Sequence, residues 1–200
     1  MDSGNCSKNV IDRIFIGQGV SALAISGLAI TMPVMNLSAA FGAMIGAGGA
    51  TLTSIKMGQE DYNGAQKVLG NVVLLDIALG ILFMILGLIY IDEILLFFGA
   101  SQETLPYARD FMQVILLGNT ITHTYLGLNS VMRSSGNPQK AMYVTLSTVA
   151  INLVLAPLFI FVFKWGIRGA ALSTIIAQFI ALIIVIVHFL GKDTFPRFTR

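Results

Sequence analysis

Two carboxylates and three sets of uncharged polar side chains stand where the surrounding sequence could turn them to chemistry. Asp12 lies in a short apolar piece, Val10 to Gly17, and Asp76 interrupts a long one, Val68 to Ile91. An acid removed from water can exchange a proton or hold a cation, and an ionisable residue inside an apolar span is a functional candidate by default. Asp12 has a plainer reading as well, an ion pair with Arg13 at a membrane surface. Asp76 has no partner identifiable from the sequence and is the weaker candidate. The uncharged groups recur at helical spacing: Thr145, Thr148 and Asn152 in one apolar run, Thr122, Tyr125 and Asn129 in another, with Asn119 and His123 beside them, and Ser173, Thr174 and Gln178 in a third. Residues three and four apart share a helix face. In hydrocarbon, such a face must turn to another helix or to a wet cavity. Taken singly, these groups read as interhelical hydrogen bonds, often worth only ~0.6 kcal/mol each. Taken together, three polar faces point to a shared hydrated interior.

Other chemistries find no footing. No serine sits in a nucleophile-elbow pattern, and no His/Glu helical pair suggests a metal. His123 and His188 lie two spans apart and read as structural. Gly42, Gly46 and Gly49 form a small-residue stripe that lets helices approach closely; they lack the Lys-Ser/Thr ending of a phosphate loop. Cys6 is the single cysteine, so neither an intramolecular disulfide nor a zinc site is expected. The expectation is a protein that is not an enzyme. A net charge of +2 without a basic cluster leaves no footprint for nucleic acid.

The elements that must carry these groups follow from length and hydropathy. Hydrophobic residues make up 56% of the 200-residue chain, mean hydropathy is +0.81, and charged residues make up 11%, against roughly 25% in a soluble domain. No charge falls between Ile14 and Ile55, between Phe111 and Met132, between Ala141 and Phe163, or between Gly169 and Gly191. A bilayer-crossing helix needs about 20 such residues. The runs do not alternate as barrel strands do. The chain is therefore read as an all-α integral membrane protein with five full transmembrane helices and a truncated first one. The expected helices cover 10–17 (the stub), 22–50, 68–91, 111–132, 141–163 and 169–190. Residues 1–8 precede the first helix, and MDSGNCSKNV does not read as a signal peptide; 191–200 form a polar tail. Pro157 within the fifth span removes an amide donor and crowds the Leu153 carbonyl.

Several pieces, in order, resemble one family. DRIFIGQGVSALAISGL, AFGAMIGAGGATLTSIKMGQ, FGAS followed by PYARDF, NSVMRSSGNPQKAM and NLVLAPLFIFVFKWGIRGAALSTIIAQ together are similar to the amino-terminal half of a multidrug and toxic compound extrusion (MATE) transporter, over roughly residues 9 to 190. Such proteins have two pseudo-symmetric six-helix lobes and exchange H+ or Na+ for organic compounds by alternating access. The resemblance implies one such lobe here, with no cofactor beyond the coupling ion. It implies Asp12 as the cation-coupling acid, and Asn129, Asn152 and Thr174 as members of the polar network. With Thr148, Thr122, Tyr125 and Gln178, these residues make up the expected cavity lining. The chain departs from the family at one position: the usual pattern of Asn, three residues, Asp, Pro reads here as Asn152 through Ala156 and Pro157, and a methyl group binds no cation. Most of a first helix and all of a second lobe are also missing from the pattern, so the chain reads as a fragment. The expected partners are membrane lipid, small organic substrates, and a missing carboxy-terminal lobe or a second copy. Two other readings stand beside the exporter: a lipid-linked sugar flippase of the same superfamily, which a basic lumen would favour, and a channel-like or assembly protein made from one bundle.

Basic residues in short loops set orientation. Lys56, Lys67, Arg133, Lys140, Lys192, Arg197 and Arg200 fall on one side, and Arg109, Lys164 and Arg168 on the other. The first side, with loops 56–67 and 133–140 and the tail, is expected to be cytoplasmic in the cell membrane. In a Cys6→Ser background, Glu60→Cys and Gln139→Cys should resist an impermeant thiol reagent in intact cells, whereas Gln102→Cys should react. The reverse pattern would invert the topology.

Overall fold

The structure, a computed structural model, describes residues 22–163 and 165–191. The regular elements among them are all helical: α1 Ala22–Gly58, α2 Tyr62–Ile89, α3 Ile91–Phe97, α4 Leu105–Leu117, α5 Asn119–Ser134, α6 Pro138–Pro157, a π-helical segment Leu158–Val162, and α7 Gly166–Leu190. The expected stub at 10–17, the segment 1–8, Asp12, and the tail beyond Gly191 lie outside the described residues. Four helical stretches are long and apolar enough to cross a membrane: Ile25–Gly58, Tyr62–Ile89, Pro138–Val162 and Gly166–Leu190. Their outward faces carry bare aliphatic side chains, such as Leu74 at 65% exposure and Val154 at 69%. Lipid is the environment in which such faces are stable.

Helix ends differ from those set by hydropathy, because capping and not apolarity decides them. The first long helix, expected to stop at residue 50, continues to Gly58, and Lys56 in its last turn complements the helix dipole. Glu60 then takes a left-handed conformation, with φ 58. Asp61 caps α2 by accepting the Gly64 N–H at 2.9 Å, so that helix starts at Tyr62, six residues before the apolar run begins. The span expected as one piece over 111–132 is two helices, α4 and α5, meeting at Gly118. Pro157 ends α6, and the chain passes into π-helical geometry, in which Phe163 N–H reaches the Leu158 carbonyl at 3.1 Å. Such local re-pairing is how membrane helices absorb a proline. Phe159 stacks on Trp165 just beyond, with ring centroids 5.5 Å apart, an arrangement suited to a membrane interface.

Packing follows the small residues. α5 occupies the centre, against α1, α2, α6 and α7. One apolar cluster joins Leu69, Val72, Leu128, Val131, Val144, Val185 and Phe189 at the end where α1 meets α2. Another joins Leu28, Phe111, Ala156, Ile160 and Ala170 toward the opposite end. The ion pairs stay at the ends of the bundle: Lys56–Asp61 at one, Arg109–Asp92 and Arg168–Asp110 at the other. No charge but Asp76 lies in the interior of the described bundle.

Two measurements test this packing. A Cβ at Gly49 would run into the Val72 side chain, whereas one at Gly48 would meet nothing within 4 Å. Gly49→Ala should therefore lower the melting temperature in detergent, with overpacking costing about 1–3 kcal/mol, while Gly48→Ala should leave it unchanged or raise it. Second, the Gly64 N–H and then Lys56 hold the Asp61 carboxyl below its ordinary value. That stabilisation is complete above the ordinary aspartate range and is lost as the pH falls below it. Asp61→Asn should remove this acid-side loss from a stability–pH profile.

Candidate functional site

A cavity of about 490 Å³ opens between α1, α2, α4, α5 and α7, toward the end of the bundle where α3 lies. Its wall is mostly apolar, with Met35, Phe83, Tyr90, Phe98 and Phe111 among its larger groups. The polar lining comes from Asn36, Ser38, Asn119, Thr122, His123, Thr174 and Gln178. The break at Gly118 positions two of these, since the first turn of α5 then presents Asn119 and Thr122 to the opening. Thr122 Oγ1 donates to Gln178 Oε1 at 2.5 Å, tying α5 to α7. Ser38 Oγ donates to Asn119 Oδ1 at 3.0 Å and lies 2.9 Å from His123 Nε2, tying α1 to α5. Asn119 Nδ2 is buried with no hydrogen-bond partner.

The residues expected to line one interior separate into two groups. Thr122, Thr174 and Gln178 line the cavity; Asn129, Tyr125, Thr148 and Asn152 do not. Asn129 Nδ2 donates to Tyr125 Oη at 3.1 Å and to Thr145 Oγ1 at 3.0 Å, while Thr148 donates to the Val144 carbonyl at 2.8 Å. Asn152 is wholly buried, and its Oδ1 accepts from Ser173 Oγ at 2.8 Å. The division is geometric. Ser173 and Thr174 are consecutive on α7 and point about 100° apart, as a 3.6-residue repeat requires. One faces α6 and the other the cavity, so α7 stands between Asn152 and the open space. The α5–α6 network is thus interhelical glue, and the α1–α5–α7 groups form the cavity.

Ser38, Asn36 and Phe83 were not among the residues singled out from the sequence. A lone serine and a lone asparagine in a long uncharged run carry no spacing signal, and only the packing of α1 against α5 brings Ser38 to Asn119. His123, read as structural, lies in the cavity wall. Asp12 lies outside the described residues, so its surroundings are not described. Ala156 is fully buried in the apolar cluster with Leu28, Phe111 and Ile160. Among the described residues no group of three or more His, Cys, Asp or Glu could hold a metal ion.

The Ser173–Asn152 bond gives a direct test of the division. Ser173→Ala removes this one bond to Asn152 Oδ1, which should cost about 0.5–1.5 kcal/mol of stability. Because Ser173 does not line the cavity, ligand binding by the folded variant should stay unchanged.

Comparison with known proteins places these features. The sequence profile of the MatE family matches residues 6–158. Multidrug export protein MepA of Staphylococcus haemolyticus (strain JCSC1435) is 31% identical over 184 residues, 92% of this chain and 41% of its own length. A crystal structure of MATE in the bent conformation superposes with a TM-score of 0.91 at 26% identity, covering 98% of this chain and 44% of that one. The inward-facing conformation of a multidrug resistance MATE family transporter of the MOP superfamily gives the same TM-score and identity over 97% of this chain and 44% of its own. The chain thus spans less than half the length of these relatives and matches their amino-terminal part. With the family profile covering most of the sequence, and the same helical bundle present in solved relatives, the chain belongs to the MatE family.

Proposed function

We propose that the chain supplies the amino-terminal bundle of a cation-coupled exporter of organic compounds in the cell membrane. The observation that carries this reading is the cavity. At about 490 Å³ it falls within the roughly 300–1,000 Å³ of small-molecule sites. Its walls are aromatic and aliphatic, with a few uncharged polar groups, and no Lys, Arg, Asp or Glu is among its described lining residues. Aromatic rings around an uncharged opening suit flat lipophilic molecules, including organic cations that gain from ring faces. A lipid-linked phosphate carrier would call for basic lining groups, so the exporter reading is preferred to the flippase. The unpartnered Asn119 Nδ2 supplies a donor for a ligand acceptor. That the relatives from Staphylococcus are multidrug export proteins agrees with this chemistry.

In this proposal, Asp12 is the coupling acid, taking H+ or Na+, and its change of charge alters hydrogen bonding around Asn152 and Thr174 and so the shape of the cavity. Ala156 offers no second acid at the family's other position. Alternating access requires a partner bundle, either a carboxy-terminal lobe or a second copy. The end carrying Lys56, Arg133 and Lys140 is placed at the cytoplasm in this proposal, a reading the bias of basic residues in the loops supports.

The test is efflux and binding of a fluorescent aromatic cation. Cells expressing the protein should lose preloaded dye faster when a H+ or Na+ gradient is imposed, and Asp12→Asn should abolish that acceleration. Retained gradient dependence in Asp12→Asn would remove Asp12 from the mechanism. Thr122→Val with Gln178→Leu should weaken dye binding about 10-fold, or ~1.4 kcal/mol. Unchanged affinity would show that the dye binds elsewhere.

A further inference from the structure

Asp76 is unused in the function above, and its setting is unusual. It sits midway along α2, fully buried, and neither carboxylate oxygen has a hydrogen-bond partner. Its carboxyl group packs directly over Gly127 of α5, where a Cβ would collide with it. Gly46 of α1 comes to the same point, since a Cβ there would lie 3.2 Å from Gly127 Cα. The acid therefore occupies a seam between three helices, held open by two glycines. One turn along α5, His123 lies in the same seam, its Nδ1 buried, unpartnered and turned toward Gly42 of α1.

The hydrogen bonds set the His123 tautomer. Ser38 has a single hydroxyl hydrogen, and it goes to Asn119 Oδ1. With the Asn119 amide oxygen turned to Ser38, the 2.9 Å contact between Ser38 Oγ and His123 Nε2 is donated by Nε2–H. Nδ1 is left as a bare lone pair, able to accept a proton. His123 also lines the cavity, so the ring has one nitrogen bonded at the cavity wall and the other in the seam.

We propose that Asp76 and His123 form a proton-exchanging pair inside the bundle, an ionisable site separate from Asp12, with its outlet in the cavity. Asp76 carries the proton in the conformation seen, because an isolated carboxylate in hydrocarbon with no donor is costly. In release, the Asp76 O–H bond breaks and an N–H bond forms at His123 Nδ1, leaving a carboxylate beside an imidazolium. His123 and Gly127 are four residues apart, about 6 Å along the helix, so the transfer requires a water molecule between the two side chains. The Nε2–H proton then passes to Ser38 Oγ as the Ser38 O–H bond breaks and that hydrogen goes to water in the cavity, leaving His123 neutral with its proton on Nδ1. Sodium is disfavoured as the ligand, since it needs several oxygens and the neighbouring glycines offer no side-chain ones.

Among the described residues, no other charged group faces Asp76 from the elements packed on α2. On α1 the described charge is Lys56 in the last turn, and on α2 itself Lys67 lies more than two turns away. On α5 there is Arg133 near the far end, besides His123. The charges of α3 and α4, Asp92, Glu93, Arg109 and Asp110, lie at the opposite end of the bundle, where Arg109 pairs with Asp92 and Asp110 with Arg168.

The experiment is pH-difference infrared spectroscopy of the full chain in lipid bilayers. A carbonyl band of a protonated carboxylic acid should disappear in alkaline buffer, and Asp76→Asn, a neutral isostere, should lack it. His123→Gln removes the relay, so after a jump to alkaline buffer the band should decay more slowly than in the parent chain; Ser38→Ala, which removes the next group on the path, should also slow it and serves if His123→Gln does not fold. Identical difference spectra for the parent chain and Asp76→Asn would overturn the site. A band that decays at the parent rate in both the His123 and Ser38 variants would overturn the pairing. Neither result depends on dye export, and loss of dye export in the earlier test would leave this spectrum unaffected, so the two proposals fail separately.

Discussion

Hydrocarbon supplies no hydrogen bonds, and the bundle is arranged around that fact. Each polar side chain carried into the membrane interior must be answered by another helix, by its own backbone, or by a water-filled opening. Ser173 answers Asn152, Tyr125 and Thr145 answer Asn129, and Thr122 answers Gln178. These pairs link α5, α6 and α7. Among the buried atoms left without a partner are Asn119 Nδ2 at the cavity, and His123 Nδ1 and both oxygens of Asp76 in the seam, besides Thr53 Oγ1, Asp92 Oδ1, Asn129 Oδ1 and His188 Nε2.

The same economy explains the backbone. The proline at 157 is followed by a π-helical segment that re-pairs the amides beyond it, and the break at Gly118 divides one membrane crossing into two helices. Asn119 and Thr122, in the first turn beyond that break, line the cavity.

Ala156 and Asp76 make an instructive contrast. The first occupies a position where the family pattern has an acid, and it is packed as an ordinary apolar residue against Leu28, Phe111 and Ile160. The second is an acid at a position with no apolar or polar compensation from the sequence around it. The α6 position faces an apolar cluster and carries a methyl group, whereas the titratable group stands at the α1–α2–α5 seam, on the same helix seam as a histidine that reaches the cavity.

Much of this was legible in the sequence. Uncharged runs of membrane length, the absence of alternation and the ordered family pieces were enough for an all-α membrane bundle of the MATE type, because burial in lipid leaves a compositional trace that needs no tertiary contact. The stripe of Gly42, Gly46 and Gly49 was readable as close packing, and it does lie against His123, Gly127 and Val72. Helical spacing also identified which faces of α5, α6 and α7 were polar. It could not say what each face meets, because a 100° step between neighbours sends Ser173 to Asn152 and Thr174 to the cavity, and only the positions of α6 and α1 decide which is which. Hydropathy likewise could not locate the ends of α2 or the break at Gly118, which depend on an Asp61 cap and on the crossing of α4 and α5. Composition and periodicity are properties of one segment at a time; the Ser38–His123 contact, the cavity and the isolation of Asp76 each depend on three segments meeting, and only the folded bundle determines that.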